Sequence, residues 1–343
     1  MKKYLNTLFV TAQNSYLNKE GETVVVNVQR EKKLQLPVHN LQAVVCFGNV
    51  SVSPFLMHHC AANGVGISFL SENGRFLARV QGPVNGNILL RKSQYKTTEN
   101  AAQRLELAKS FVLGKAVNAR SVLCRALRDH SGKTGMQEVE RASALIALEI
   151  KKLRQTKELD TLRGTEGEIA RVYFSVFDYL ITAQKPDFSF TGRTRRPPTD
   201  NVNALLSFVY TLLARDCSSA LEIIGLDPQC GFLHTDRPGR DSLALDLMEE
   251  FRAFVADRLV LSLINLKQVS AKGFKQNPAG GVEMDEETRK TVLTAYQKRK
   301  AELLKHPFLE ETAELGLFFH LQALLLARHL RQDLDAYPPV IWR

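Results

Sequence analysis

The spacing of apolar residues changes near residue 97, and this change divides the chain into a β-rich part and a helical part. Before it, short β-branched runs such as Thr23–Gln29 and Leu41–Phe47 are typical of strands. After it, apolar residues recur every three or four positions, as in amphipathic helices. We therefore expect an α+β protein, with a small N-terminal β-rich domain at residues 1–96 and a larger all-helical domain at residues 97–343.

The N-terminal part is expected to hold one helix among its strands. Ser53 can cap this helix and Pro54 suits its first position. Glu72-Asn73-Gly74 is a turn sequence that predicts a hairpin between the last two strands. Besides the two runs named above, strands are expected at 33–38, 65–71 and 76–81.

Most of the remaining chain is predicted to be helical. Thr165 and Glu168 have the spacing of a capping box, which predicts that a helix begins at residue 165. Gln268–Val282, rich in Gly, Pro and Asn, is expected to be a flexible surface loop. The predicted helices are 99–128, 136–156, 165–182, 201–215, 242–266, 284–303 and 310–333.

Charge and composition indicate the class of partner and the compartment. The net charge is +10, and residues 1–95 hold ten Lys and Arg against four Asp and Glu. Such an excess favours a polyanionic partner, of which nucleic acid is the commonest. The five cysteines form no CxxC pair, which favours a reducing cytoplasm over a disulfide framework. No apolar run approaches the roughly 20 residues of a membrane span.

The stretch 231–252 combines a histidine with an unusual acidic helix face. His234 lies in a loop, and the helix that begins near Ser242 has an acidic flank without lysine or arginine. A solvated face normally mixes charges of both signs. Carboxylates together with imidazole are instead the ligands of a divalent metal. The alternative is that these acidic residues form an ordinary solvent-exposed surface without a binding function. The acidic residues are Asp246, Glu249, Glu250 and Asp257.

Two earlier segments also carry polar groups on apolar helices. Glu166 is expected to point toward the same face as Ile169, where an ionised carboxylate needs a cation, hydrogen-bond donors or a raised pKa. The alternative is that Glu166 only stabilises a first helical turn. Asn203, Ser207 and Tyr210 recur along one face of the next helix, either as a satisfied internal network or as the wall of a site. Arg193, Arg195 and Arg196 precede that helix and suit phosphate contacts.

Four motifs in order resemble the universal CRISPR-associated integrase family, the catalytic subunit of spacer acquisition. The N-terminal GNVSVSPFLMHHCAANGVGISFLSENG is similar to the β-domain of that family, and the final YPPVIWR is similar to its subtype I-C branch. The resemblance spans nearly the whole chain. The four motifs are EG at Glu166-Gly167, RRPPTDNVNALLSFVYTLL at 195–213, GFLHTDRPGRDSLALDLMEEFR at 231–252 and FVADRLVLSLIN at 254–265.

The resemblance implies a metal-dependent DNA endonuclease and integrase. Such a protein inserts short double-stranded DNA into a CRISPR array, by attack of a terminal 3′-hydroxyl on a phosphodiester, and serves antiviral defence in the cytoplasm. Branched DNA would also be cut. It would act as a homodimer, through the basic N-terminal domain, and assemble with a small ferredoxin-like bridging subunit. The helical domain would be catalytic.

The resemblance also implies roles for individual residues. Glu166, His234 and Glu249 would bind Mg²⁺ or Mn²⁺, and no residue would act as a covalent nucleophile. Asp246, Asn203 and Tyr210 are candidates for support of these ligands. The candidate DNA-binding residues are Arg193, Arg195, Arg196, Arg237, Arg240 and Arg252.

Two other functions remain open at this point. One is a non-catalytic nucleic-acid-binding scaffold, in which the acidic cluster is a structural salt-bridge network. The other is a metal-dependent phosphohydrolase that acts on small nucleotides. The sequence contains no phosphate-binding GxxxxGK loop, which argues against an NTPase.

Overall fold

The computed structural model describes residues 7–41, 43–72, 76–80 and 88–342. The chain has a mixed α+β architecture, with sheets in the N-terminal region and a mostly helical C-terminal part. It divides into two compact units, one formed by residues 1–86 with Lys300–Glu302 and the other by the rest. The division therefore lies ten residues before the boundary expected from the sequence. In the described residues, no helix is both long and apolar enough to cross a membrane.

The first unit contains two four-stranded sheets and a helix in its described residues. One sheet has the order β1-β5-β7-β8 and the other the order β4-β3-β2-β6, as defined by the following bounds. In chain order the elements are β1 (Thr7–Val10), β2 (Ser15–Glu20), β3 (Thr23–Val28), β4 (Glu31–Pro37), β5 (Ala43–Phe47), β6 (Val50–Val52), α1 (Pro54–Ala62), β7 (Gly66–Leu70) and β8 (Phe76–Val80).

The core of the first unit forms where the inward residues of these strands meet. Leu17 is opposite Val26 in the antiparallel pair β2–β3, and both are buried. The helix α1 begins as predicted, because the Ser53 hydroxyl accepts a hydrogen bond from the Leu56 backbone N–H at 3.3 Å. The strands β7 and β8 pair antiparallel as predicted. The turn at Asn73 and Gly74 lies outside the described residues.

The elements from residue 88 onward are mostly helical, and they include two short antiparallel β-pairs that the all-helical prediction missed. A π-helical turn at Arg252–Asp257 joins α7 to α8. The elements are α2 (Ile88–Glu99), α3 (Ala101–Asp129), α4 (Met136–Leu153), α5 (Leu159–Ser175), α6 (Asn201–Ile224), α7 (Ser242–Phe251), α8 (Arg258–Asn265), β9 (Phe274–Gln276), β10 (Val282–Met284), α9 (Glu286–Lys300), β11 (Leu303–Lys305), β12 (Thr312–Glu314) and α10 (Leu315–Leu330).

The predicted start of α5 at residue 165 is wrong. The helix begins at Leu159, and the Thr165 hydroxyl donates to the carbonyl of Thr161 at 3.1 Å, as serine and threonine do inside a helix. Glu166 therefore lies well inside α5 and not in its first turn. The helix dipole therefore does not stabilise the Glu166 carboxylate, since the effect of the dipole is confined to the first turn.

The predicted flexible loop at 268–282 is wrong in its second half, because Phe274–Gln276 (β9) pairs with Val282–Met284 (β10). Asn277 organises the turn between them, with its side-chain oxygen accepting from Ala279 N at 3.1 Å and Gly281 N at 2.8 Å. Val282 N donates to the Pro198 carbonyl at 2.8 Å, which attaches the hairpin to the segment before α6. The glycines and Asn277 thus mark a hairpin turn and not an unstructured loop.

Helices α3 and α7 form the centre of the second unit. The helix α3 packs against α4, α5 and α7, and α6 packs against α7 and α10. Gly114 allows a close approach of α3 to α7, since a Cβ at this position would lie 2.9 Å from Glu250 Cγ and 3.1 Å from Pro339 Cβ. This packing places the residue after Gly114 beside the acidic flank of α7.

Candidate active site

The acidic flank of the α7 region is buried, so a bland solvated surface is excluded. Its four carboxylates have exposed fractions between 0 and 2%. A buried carboxylate requires a cation, donated hydrogen bonds or a proton. The structure shows that the four residues satisfy this requirement in different ways. They are Asp246, Glu249, Glu250 and Asp257.

Glu249 is neutralised by two cations. Lys115 Nζ lies 2.8 Å from Glu249 Oε2, and Arg252 Nη1 lies 3.2 Å from Oε1. Burial acts to raise the pKa of Glu249, but the charges of Arg252, Lys115 and His234 outweigh it and hold this pKa near 2, below the usual 4.5. Glu249 is therefore ionised at neutral pH, as a metal ligand must be.

Lys115 joins Glu249 of α7 to Glu166 of α5. Its ammonium also forms an ion pair with Glu166 Oε1, while the lysine itself is 8% exposed. The sequence reading missed this residue. A signal for it was present, because Lys115 occupies the buried stripe of α3 four residues after Phe111 and four before Ala119. A charge on an apolar stripe requires a buried partner.

His234 is held by Asp246. The ring Nδ1 lies 2.6 Å from Asp246 Oδ1, which also accepts the backbone N–H of His234 at 2.9 Å. The second oxygen, Oδ2, accepts the N–H groups of Phe232 at 2.6 Å and Leu233 at 2.9 Å. Both oxygens of Asp246 are thus used in ordering the loop before α7. With Nδ1 donating to this carboxylate, the lone pair of a neutral His234 ring is on Nε2.

Gly231 makes this arrangement possible at the start of the loop. A Cβ there would lie 2.8 Å from Ser242 Cβ and 3.0 Å from Asp246 Oδ2. Any larger residue would push the loop away from α7 and lengthen the hydrogen bonds to Asp246. The motif Gly-Phe-Leu-His therefore requires its glycine for close approach.

The donor chemistry of these residues fits a divalent metal ion. Two carboxylates share one cation, and the imidazole of His234 has its Nδ1 anchored to a carboxylate, as metal-binding histidines usually do. The described residues nevertheless contain no group of three or more His, Cys, Asp or Glu close enough to hold a metal. Lys115 lies where the carboxylates of Glu166 and Glu249 meet. The convergence of Glu166, His234 and Glu249 on one ion stays a prediction, and it requires the ammonium to move.

Two arginines and a tyrosine lie next to this cluster. The guanidinium carbons of Arg252 and Arg193 are 5.0 and 5.3 Å from the centre of the Tyr210 ring. The Tyr210 hydroxyl donates to Asp257 at 2.5 Å, and burial raises the pKa of Asp257 to about 7. The Nε–H groups of both arginines are buried without an acceptor among the described residues. Two cations with unused donors suit the oxygens of an anion such as phosphate.

Asn203 and Ser207 hold Arg193 in this position. Arg193 Nη1 donates to Asn203 Oδ1 at 2.7 Å, and Nη2 donates to Ser207 Oγ at 3.0 Å. Asn203 Nδ2 in turn donates to Gly192 O and to Asp200 Oδ2. Asn203 and Ser207 of the polar stripe of α6 therefore belong to an internal hydrogen-bond network that holds Arg193.

The remaining candidate arginines form one basic patch. Arg195, Arg196 and Arg237 are exposed, and Arg240 is partly buried. The pKa of Arg240 is lowered by burial and then by the like charges of Arg237, Arg196 and Arg195, so each of these three lies within electrostatic range of Arg240. Asp246, the residue that binds His234, acts on Arg240 in the opposite direction. The patch therefore borders the histidine loop.

Comparison with known proteins gives one consistent result. Residues 8–298 match the family model described as CRISPR associated protein Cas1. A CRISPR-associated endonuclease Cas1 from Chlorobaculum tepidum is 56% identical over 343 residues, and one from Rhodospirillum rubrum is 52% identical over 347, each covering 100% of both chains.

Solved structures with the same fold are more distant in sequence. A casposase bound to integration product has a TM-score of 0.84 at 21% identity, covering 98% of this chain and 94% of the other. A Cas6-RT-Cas1–Cas2 complex contains a chain with a TM-score of 0.84 at 20% identity. That match covers all of this chain and 36% of the longer one.

Proposed function

This chain belongs to the Cas1 family of CRISPR-associated proteins, and we propose that it is a metal-dependent DNA endonuclease and integrase that inserts short double-stranded DNA into a CRISPR array. The relatives named as endonucleases match it over its full length. The observation that carries the proposal is the meeting of Glu166 and Glu249 on one cation, with His234 near enough to help lower the pKa of Glu249.

The proposed reaction is a transesterification. The terminal 3′-oxygen of the incoming DNA forms a bond to a phosphorus at the edge of a repeat, and the bond from that phosphorus to the 3′-oxygen of the preceding nucleotide breaks. The proton lost by the attacking hydroxyl is balanced by one gained at the departing oxygen. A bound Mg²⁺ or Mn²⁺ would polarise the phosphoryl group and favour ionisation of the attacking hydroxyl. With water as the nucleophile, the same site would cut DNA.

Three residues would hold the metal ion. Glu249 supplies an ionised carboxylate because nearby cations keep its pKa near 2. Glu166 supplies a second carboxylate from α5. His234 supplies a ring nitrogen, whose direction is fixed by the contact of Nδ1 with Asp246. Asp246 acts through His234 in this scheme and is a positioning residue.

Arg252 and Arg193 are proposed to bind the phosphodiester next to the metal. Both guanidinium groups have buried Nε–H donors without an acceptor in the described part of the chain. Arg252 also contacts Glu249, so a phosphate held by Arg252 would lie beside the carboxylate pair. The basic patch of Arg195, Arg196, Arg237 and Arg240 is proposed to bind the DNA backbone farther from the reacting bond.

The proposed partners are double-stranded and branched DNA, a second copy of this chain and a small ferredoxin-like bridging subunit. The Cas1–Cas2 and casposase–DNA structures with the same fold support a DNA and a Cas protein partner. The subtype I-C assignment and the cytoplasmic location stay predictions from the sequence.

A second candidate function is a non-catalytic DNA-binding scaffold. It is favoured by one observation, the Lys115 ammonium between Glu166 and Glu249, because this contact balances charge without a metal. A scaffold of this kind would bind DNA equally well with EDTA or Mn²⁺.

The test is strand transfer into a supercoiled plasmid that carries a leader and a repeat. Wild-type protein with the bridging subunit and Mn²⁺ is expected to give integrated product, and EDTA or Glu249→Gln is expected to abolish it. Glu168→Gln, at a partly exposed α5 side chain that pairs with Arg171, is the matched control and should retain activity. Integration that persists in EDTA or in Glu249→Gln would refute the metal-dependent mechanism.

A further inference from the structure

The ammonium of Lys115 occupies the meeting point of two carboxylates from different helices. It contacts Glu166 of α5 and lies 2.8 Å from Glu249 of α7, and the lysine is 8% exposed. We propose that Lys115 is a built-in counter-cation that competes with the divalent metal for Glu166 and Glu249. The inference rests on the proposed metal site and adds a residue that controls how readily that site is filled.

The packing of α3 fixes Lys115 in this place. Gly114, the preceding residue, allows α3 to approach α7 so closely that a Cβ would lie 2.9 Å from Glu250 Cγ. The side chain of Lys115 therefore emerges between α5 and α7 with its ammonium next to both acids. Without it, Glu166 and Glu249 would face each other as like charges in a largely buried site, where their repulsion is strong.

The position of Lys115 has two consequences for metal binding. In the metal-free protein the ammonium contacts both carboxylates and holds them close together, so the site is already assembled. A divalent ion carries twice the charge and binds carboxylate oxygens directly, but it must first displace the ammonium. The apparent metal affinity is reduced by the fraction of molecules in which the ammonium still occupies the site.

Displacement also releases a cation beside the metal. A lysine side chain is long and flexible, and its ammonium is a common ligand of phosphate oxygens. Once displaced, Lys115 would be available to a DNA phosphate at the same site. The lysine would thus exchange one anionic partner for another as metal and DNA arrive together.

A purely structural ion pair would behave differently from a competitor. If Lys115 only stabilises the fold, its replacement loosens the helices and leaves metal affinity unchanged or weaker. If Lys115 competes with the metal, its replacement by a neutral side chain tightens metal binding. The direction of the change in affinity therefore separates the two roles.

The experiment measures binding of Mn²⁺ alone to the full chain by isothermal titration calorimetry and by the electron paramagnetic resonance of free Mn²⁺. Lys115→Met and Lys115→Gln should bind Mn²⁺ at least about tenfold more tightly than wild type, a change of about 1.4 kcal/mol. Lys115→Arg keeps the charge and should bind no more tightly than wild type. Lys109→Met is the matched control on the same helix, because Lys109 pairs with Glu106 away from the acids, and its affinity should be unchanged.

Thermal unfolding supplies a second readout for variants that fold less well. Metal-free Lys115→Met should melt below wild type, because the partly buried Glu166 loses its ammonium partner and the buried Glu249 keeps only Arg252 as a counter-charge, and saturating Mn²⁺ should close this gap. A gap that Mn²⁺ leaves unchanged would contradict competition.

The possible results separate the two proposals. If wild type binds Mn²⁺, and Lys115→Met and Lys115→Gln bind it equally or more weakly, the competition is overturned and the proposed function stands. Both proposals fail if wild type and the Lys115 variants show no Mn²⁺ binding, or only binding that Glu249→Gln does not abolish.

Discussion

Asp246 contacts both the imidazole ring and the backbone N–H of His234. A single carboxylate oxygen, Oδ1, accepts the His234 backbone N–H at 2.9 Å and lies 2.6 Å from the ring Nδ1. Since the other oxygen accepts two further backbone N–H groups, this one side chain holds three consecutive residues of the loop before α7. The orientation of the proposed metal ligand therefore depends on a residue that does not itself need to bind the metal.

Asp246→Asn is expected to weaken metal binding and catalysis. The amide removes the negative charge that fixes the His234 ring and offers one fewer acceptor to the loop. Loss of such a supporting carboxylate typically costs about 10- to 100-fold in metal affinity or activity. Mn²⁺ titration and the strand-transfer rate would measure this loss. As a control, Asp236→Asn, on the exposed part of the same loop, should behave like wild type. If Asp246→Asn binds Mn²⁺ as tightly as wild type, Asp246 does not position His234.

Stability is expected to depend on pH through Glu249. Its folded pKa near 2 lies below its usual 4.5, so its ionisation contributes stability that is present above pH 4.5 and is lost as the pH falls toward 2. Part of this stability should already disappear between roughly pH 6 and pH 3.5. Urea unfolding of wild type and Glu249→Gln would show their difference in stability narrowing over this range. A difference that stays constant with pH would be inconsistent with a lowered pKa.

Arg252→Lys is expected to reduce strand transfer although it preserves the charge. Lysine lacks the planar fork that would bind a phosphate and lie against Tyr210 at the same time. We expect Arg252→Lys to lower the single-turnover rate of strand transfer by about tenfold or more. For Arg252→Gln we expect the plot of log affinity for DNA against log salt concentration to be shallower by about one unit of slope.

The control for this prediction is Arg171→Lys. Arg171 is exposed on α5 and pairs with Glu168, so the substitution should change neither the rate nor the salt slope. If Arg252→Lys transfers strands as fast as wild type, Arg252 does not bind the reacting phosphate through its fork.

The C-terminal segment is expected to stabilise α7 through Glu250. The carboxylate of Glu250 accepts hydrogen bonds from the Tyr337 hydroxyl at 2.6 Å, Val340 N at 2.7 Å and Gln322 Nε2 at 2.9 Å. Tyr337→Phe removes one of these donors in a buried site, which should cost about 1–3 kcal/mol. The melting temperature should fall by several degrees, whereas Tyr16→Phe, at an exposed tyrosine, should leave it unchanged. Unaltered stability of Tyr337→Phe would show that the segment does not anchor α7.

The sequence predicted local features correctly where neighbouring residues within one helical turn determine them. Ser53 and Pro54 placed the start of α1. The acidic flank of α7 is buried, and its Glu249 pairs with Lys115 and Arg252, whereas metal binding there stays a prediction. The cation itself was missed because Lys115 is far away in the sequence and reaches Glu249 only through the packing of α3 on α7. Tertiary contacts of this kind leave only a weak local signal, here one charge on an apolar stripe.

Other predictions failed because one pattern has two structural meanings. Thr165 and Glu168 have capping-box spacing, but the same spacing occurs inside α5, where threonine bonds to the preceding turn. Asn277 and the glycines after it were read as a flexible loop, although they also suit the tight turn of a hairpin. In both cases the competing residues lie outside the motif itself.

The central claim is that Glu166, His234 and Glu249 bind one divalent ion. Anomalous diffraction from a crystal of the full chain soaked in Mn²⁺ tests it most directly. The account predicts one strong manganese peak in contact with all three side chains, with the Lys115 ammonium displaced from between the carboxylates. No peak at this position, with Lys115 still bridging Glu166 and Glu249 at saturating Mn²⁺, would contradict it.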